Sequence, residues 1–250
     1  MDLSENLDRP SAIASLIDHT LLKPEASRSD IGRICKEARQ FSFASVCINP
    51  CWVRFAARDL SGSPVKVCTV IGFPLGANEK ETKISEAKLA LEHGAGELDM
   101  VQNVGALRSG DHALVRSEIT EIAAFAHAHG VLLKVILESC LLTAEEKQAA
   151  CRLALEARAD FVKTSTGFST GGATVEDVAL MRRTVGSALG VKASGGVRTL
   201  ASLREMVRAG ANRIGTSSGV HILAELGSGT GAPTETGAKP TVQAGPTENY

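Results

Sequence analysis

The chain has 250 residues, 44% hydrophobic and 22% charged, and its net charge of −1 is the difference between 27 basic and 28 acidic side chains. This is the composition of a globular protein large enough for one sizeable core. With no basic block and only one Trp and one Tyr, it offers nucleic acid neither a phosphate-backbone footprint nor a stacking platform. No apolar run reaches the roughly 18 residues of a membrane-spanning helix, so no membrane partner is expected. The start, Met1 to Glu5, lacks the basic and apolar regions of a secretory signal, and the cytoplasm is the expected compartment.

From residue 13 onward, short β-prone apolar runs alternate with longer segments of helical period, the pattern of βα units around a parallel sheet. The strand candidates are Ser15 to His19, Ala44 to Ile48, Lys66 to Ile71, Glu97 to Val101, Leu132 to Leu137, Asp160 to Ser165, Val191 to Ala193 and Arg213 to Gly215. Helices are expected over Glu79 to His93, Asp111 to His129, Thr143 to Ala157 and Thr174 to Gly186. Thr143 and Thr174 each precede an acidic residue by three and read as caps, and Gly94 and Gly210 sit where a helix would end in a left-handed turn. Eight strands make a full α/β TIM barrel, (β/α)8, assigned to residues 1–226. An open doubly wound sheet is the alternative, weakened by the lack of a Gly-x-Gly-x-x-Gly turn after the first strand. From Gly227 to Tyr250 the hydrophobic period vanishes, Gly, Thr, Pro and Ala dominate, and a flexible C-terminal tail is expected.

Cys35, Cys47, Cys51, Cys68, Cys140 and Cys151 include no C-x-x-C pair and are read as reduced core residues. His127 and His129, two apart on a helical segment, face different ways. No metal site is expected. Cys47, at the end of the second strand, is either an inert buried thiol or open to alkylation by unsaturated aldehydes.

In a barrel of this kind the chemistry sits at the C-terminal ends of the strands. Lysine is almost never buried without a partner, so Lys163 inside Phe161-Val162-Lys163-Thr164-Ser165-Thr166-Gly167 needs one, or a chemical use as an amine nucleophile. Lys192 falls on the next strand. Two ammonium groups about 6 Å apart at an effective dielectric near 20 repel by about 2.8 kcal/mol, which favours the loss of one proton. Asp99, from the fourth strand across the barrel, can hold Lys192 charged and relay protons through water. Asp18 is placed at the end of the first strand. Lys134 and Glu138 are read on one face of the fifth strand, with Lys134 in support. The alternative is a buried charge network that only holds the barrel together. Ser194-Gly195-Gly196-Val197-Arg198 and Gly215-Thr216-Ser217-Ser218 follow strands seven and eight, where such barrels often bind phosphate on backbone N–H groups and a helix N-terminus.

Together, Phe161 to Gly167, Glu97-Leu98-Asp99-Met100-Val101-Gln102-Asn103, Val191 to Arg198 and Gly215 to Ser218 resemble the deoxyribose-phosphate aldolases. The likeness runs from Ile13 to Leu226. It implies reversible retro-aldol cleavage of 2-deoxy-D-ribose 5-phosphate to D-glyceraldehyde 3-phosphate and acetaldehyde, in deoxynucleoside catabolism. Metal and cofactor are not needed, and a homodimer is implied. Lys163 matches the Schiff-base lysine, Lys192 the lysine that perturbs it and Asp99 the proton relay. Asp18, Thr164, Gly171, Gly195, Gly196, Arg198, Gly215, Ser217 and Ser218 fall to substrate binding. The chain departs after Gly167, where some relatives carry a phosphate-binding lysine and this one has Phe168. Relatives can end in a tyrosine that reaches the active site, which gives Tyr250 a possible role there.

Overall fold

The computed structural model describes residues 7–228. Eight parallel strands close into a barrel in sequence order: β1 (Ile17–Leu21), β2 (Ser45–Ile48), β3 (Lys66–Ile71), β4 (Glu97–Val101), β5 (Leu132–Ile136), β6 (Phe161–Lys163), β7 (Gly190–Ser194) and β8 (Arg213–Thr216). Pairing of β1 with β8, through Asp18 opposite Gly215, completes the ring and removes the open-sheet alternative. Around it lie α1 (Pro10–Ala14), α2 (Arg28–Phe41), α3 (Val53–Asp59), α4 (Lys80–Glu92), α5 (Val104–Arg108), α6 (His112–Ala128), α7 (Ala144–Glu156), α8 (Val175–Val185), α9 (Leu200–Arg208) and α10 (Gly219–Ser228). The last helix continues two residues past the expected boundary at 226. The rest of the expected tail, with Tyr250, lies outside the described residues.

Local chemistry sets the helix ends. Thr143 forms a reciprocal capping box with Glu146, and the Thr174 hydroxyl accepts from the Asp177 N–H. Gly94 and Gly210 take positive φ values of 101° and 113° just after α4 and α9, which a side chain would resist. Period two then sorts each strand. Leu98, Met100, Val162 and Val191 face outward into the layer between sheet and helices, where they meet apolar stripes such as Ile119, Ile122, Ala123 and Ala126 of α6. Each such aliphatic side chain contributes about 1.5–3 kcal/mol on burial.

The inside of the barrel differs. A barrel interior is usually layered with branched aliphatics, yet here Asp18, Glu97, Asp99, Lys134, Lys163 and Lys192 are all buried inside it, with Arg213 beside them. The apolar remainder is a small cluster of Leu22, Cys47, Cys68 and Val70, with Phe73 packed against it.

Candidate active site

Asp99 is the centre of the interior. It is the third residue of β4, and its carboxylate receives three ammonium groups: Lys163 Nζ at 2.8 Å and Lys192 Nζ at 2.7 Å on Oδ2, and Lys134 Nζ at 2.9 Å on Oδ1. Lys163 and Lys192 are register partners on β6 and β7, so their side chains run side by side to one oxygen. Burial disfavours an ionised carboxyl, but Lys134, Lys163 and Lys192 outweigh it and hold Asp99 well below the usual carboxylate range. Burial likewise works against the Lys192 charge, and Asp18 and Asp99 overcome it, pushing that lysine up. Asp99 pairs with Lys192 as expected, and it also touches Lys163 directly, where the sequence reading has only a relay through water.

Beneath this trio a second tier locks it in place. Asp18 Oδ2 forms an ion pair with Lys192 Nζ at 2.5 Å, while its Oδ1 accepts from Arg213 at 2.7 Å and the Ser45 hydroxyl at 2.6 Å. Glu97 pairs with Lys134 at 2.5 Å and with Arg213 at 3.2 Å. Asp18 is thus not at the end of its strand. It is the second residue of β1, fully buried, with its carboxylate against Lys192. The misplacement has a local cause, because Ser15 bonds back to α1 through its N–H to Ser11 O, and the strand starts two residues later than the apolar run. Glu138 also departs from expectation. It lies beyond β5 with φ of 55°, where its carboxylate accepts from the Thr166 N–H and hydroxyl instead of sharing a strand face with Lys134.

Comparison with known proteins agrees with this geometry. The model of the DeoC/LacD family aldolases matches residues 12–225. The chain belongs to that family. It is 62% identical over 211 residues to a deoxyribose-phosphate aldolase of Geobacillus sp. (strain WCH70), covering 84% of this chain and 94% of that protein. A Thermoanaerobacter sp. (strain X514) deoxyribose-phosphate aldolase is 59% identical over 214 residues, with 85% and 96% covered. Among solved structures, the tetrameric deoxyribose phosphate aldolase of Aeropyrum pernix superposes with a TM-score of 0.84 at 35% identity, covering 91% of this chain and 97% of that one.

Among the family motifs, the loops above the lysines fall into two groups. Gly195 and Gly196 have φ of 84° and 87°, conformations that favour glycine, and Gly196, Arg198 and Ser217 are exposed at the mouth while Ser218 is half-buried. The Ser218 N–H already donates to Thr216 Oγ1, whose hydroxyl donates to Val197 O, so the loops after β7 and β8 are tied together. Gly172 packs so close that a Cβ there would lie 2.3 Å from Gly195 O, and Gly171 faces Cys140 in the same way at 2.9 Å. The second group is buried. The Thr164 hydroxyl donates to Ser194 O at 3.0 Å and accepts from Ser194 N–H at 3.1 Å, so it extends the β6–β7 ladder. Gly215 lies inside β8, where a Cβ would meet Lys192 Cε at 3.1 Å and Ser194 Cβ at 2.9 Å. Its missing side chain makes room for Lys192, and it is no part of the rim. Glu97, Arg213 and Cys68 were not singled out by the sequence reading, although period two from Asp99 points to Glu97 and period two from Gly215 points to Arg213. Of the six cysteines, Cys35, Cys47, Cys68 and Cys151 are buried as expected, whereas Cys51 is exposed and Cys140 half-exposed.

Proposed function

We propose that the chain reversibly cleaves 2-deoxy-D-ribose 5-phosphate to D-glyceraldehyde 3-phosphate and acetaldehyde, with Lys163 as the nucleophile. The observation that carries this reading is the shared oxygen: Lys163 Nζ and Lys192 Nζ both lie within 2.8 Å of Asp99 Oδ2. A proton leaving Lys163 has an acceptor in contact, and a second ammonium keeps the carboxylate ionised and ready. The neutral amine attacks C1 of the open-chain sugar, and loss of water gives an iminium. Removal of the C3 hydroxyl proton breaks the C2–C3 bond, with the electron pair drawn into the iminium to form an enamine. Glyceraldehyde 3-phosphate leaves, the enamine takes a proton at C2, and hydrolysis releases acetaldehyde and Lys163. The iminium is the electron sink, so the bond cleavage itself needs no metal.

Gly195, Gly196, Arg198, Ser217 and Ser218 are assigned to the substrate phosphate. Support comes from the positive-φ glycines after β7 and from α10, ten residues long, whose N-terminus opens at the same mouth. Phe168 brings no charge there. It is exposed and packs edge-on against Phe73, with ring centroids 5.3 Å apart, so the mouth has an apolar side facing the glycine-rich one. Among the described residues no helix is long and apolar enough to cross a membrane. We place the enzyme in the cytoplasm as a homo-oligomer, with the dimer as its smallest form.

Incubation with acetaldehyde and borohydride tests the nucleophile. An ethyl group is expected on Lys163, detected by mass spectrometry of the digest, and Lys163→Ala is expected to lose both the label and turnover. An ethyl group on Lys134 or Lys192 in the unmutated protein would sink the assignment.

A further inference from the structure

Cys47 on β2 and Cys68 on β3 are register partners in adjacent parallel strands, so their side chains point the same way, into the barrel. Both are buried, and both reach the same carboxylate: Cys68 Sγ lies 3.1 Å from Asp99 Oδ1, and Cys47 Sγ lies 4.0 Å from Asp99 Oδ2. The two sulfurs and the carboxylate are within 4.8 Å of one another. Two thiols and a carboxylate at that spacing could hold a soft cation, but the surrounding charge opposes it. Asp18, Glu97 and Asp99 already hold Lys134, Lys163, Lys192 and Arg213, three carboxylates against four cations. The surplus is positive and favours an anion.

Cys47 is the thiol on which that surplus acts. The neighbouring Cys68 thiol, with Lys192 and Lys163 acting in the same direction, holds the Cys47 thiol below its usual range against the opposing effects of burial and Asp99. Burial raises Cys68 well above its own usual value, with Cys47 and Asp99 adding to it. Of the two, Cys47 is the thiol that gives up its proton more readily and Cys68 the one that keeps it, the order that disulfide-forming chemistry needs. Adjacent parallel strands lie about 4.8 Å apart, inside the Cα separation of about 4.4–6.8 Å that a disulfide spans.

We propose that Cys47 and Cys68 are an oxidative modification site, a dithiol that hydrogen peroxide converts to a disulfide beside Asp99, silencing the active site reversibly. Cys47 gives up its proton as its sulfur attacks one peroxide oxygen, the O–O bond breaks, and the departing hydroxide takes up that proton as the first water. The resulting sulfenic acid is attacked at sulfur by Cys68. The S–O bond breaks, the second water leaves with the Cys68 proton, and the S–S bond forms. Two thiols are oxidised and one peroxide is reduced. Asp99 then loses the Cys68 S–H donor on Oδ1, and the bridged sulfurs are fixed against the carboxylate that Lys163 and Lys192 share, so the network around the nucleophile is rearranged. Access rests on the aldolase reading: a mouth that admits acetaldehyde to Lys163, in contact with this same carboxylate, also admits the smaller peroxide.

The test exposes reduced enzyme to a small molar excess of hydrogen peroxide, stops the reaction with catalase, and alkylates the remaining thiols in denaturant without reductant. The expected result is a peptide pair joined through Cys47 and Cys68, with the mass lowered by two hydrogens. Retro-aldol turnover should fall by about a hundredfold or more, the scale of a lost general acid–base group, and return with dithiothreitol. In Cys68→Ala the joined pair should be absent, and Cys47 should instead be left as a sulfenic acid that dimedone labels. Alkylated Cys47 and Cys68 in peroxide-treated wild-type protein would overturn the proposal, as would a joined pair with turnover unchanged. The mass readout does not depend on turnover, so it stands apart from the borohydride result.

Discussion

The floor of the barrel and its rim hold their polar groups by opposite means. On the floor, Asp18, Glu97, Asp99, Lys134, Lys163, Lys192 and Arg213 are joined through contacts of 2.5–3.2 Å, so each charge fixes its neighbours. At the rim, Gly196, Arg198 and Ser217 are exposed, and Arg198 has no ion-pair partner among the described residues. Chemistry that moves protons needs groups held within a fraction of an ångström in a dry, over-determined network. Seizing a phosphate needs donors still free to turn toward it. Damage to the floor should therefore appear as lost stability and kcat together, and damage to the rim as a change in KM alone.

The largest effect is expected from Asp99→Asn. The amide keeps the shape of the carboxylate but leaves Lys163 without a carboxylate partner, while Lys192 and Lys134 keep only Asp18 and Glu97. Breaking a buried ion pair in this way costs about 3–5 kcal/mol, a Tm drop on the order of 10 °C for a chain of this size, and turnover should be nearly abolished. The pH dependence follows from the same groups. Despite burial, the lysines hold Asp99 low, and Lys192, Lys134 and Arg213 hold Asp18 low. Their contribution to stability is complete above the unfolded carboxyl pKa of about 4 and is lost as pH falls below it. Lys192, held high by Asp18 and Asp99, keeps its contribution up to about pH 10, the unfolded lysine pKa, and loses it only above. Chemical denaturation from pH 2 to pH 8 should show stability falling below pH 4, with a shallower fall in Asp99→Asn. A variant as stable as wild type would mean that the floor is not the locked element described here.

How much of this was legible before the structure depended on whether alternation alone decided the matter. Asp99, Lys163 and Lys192 stand inside β-prone runs between outward apolar neighbours, and period two aims them correctly. Eight such runs also gave the barrel. Asp18 and Glu138 failed where a single backbone conformation intervenes: a helix end that reaches Ser15, and a glutamate at positive φ that no propensity foretells. Thr164 shows the same limit, since a hydroxyl that bonds Ser194 across the β6–β7 ladder and one that serves substrate have the same sequence. Glu97 and Arg213 went unread as strand-edge residues, since their role arises only when strands β1, β4, β5 and β8 converge on a shared ion-pair network.

Gly215→Ala separates floor from rim at the position where the motif reading and the geometry disagree. If Gly215 served the phosphate, alanine would raise KM. Its site in β8 instead predicts that the added methyl pushes on Lys192 Cε and Ser194 Cβ. Overpacking of that kind costs about 1–3 kcal/mol, and displacement of Lys192 should lower kcat with KM for the sugar phosphate little changed. Steady-state kinetics together with a thermal melt distinguish the two.

The smallest effect is expected from Arg198→Ala, and it is the sharpest probe of the rim. Arg198 is exposed just before the Thr199 cap of α9, so its removal should leave stability within about 0.5 kcal/mol of wild type. A charge-assisted hydrogen bond to phosphate is worth about 1.5 kcal/mol or more, and solvent screening reduces it at such a site. KM for 2-deoxyribose 5-phosphate should rise about five- to tenfold at low salt and less at high salt, with kcat and the KM for unphosphorylated 2-deoxyribose unchanged. A salt-independent KM equal to that of wild type would assign the phosphate to the backbone amides of Gly195 and Gly196 and the N-terminus of α10. The rim would then hold its substrate by backbone alone, and Phe168 would be the natural place to add the charge that it lacks.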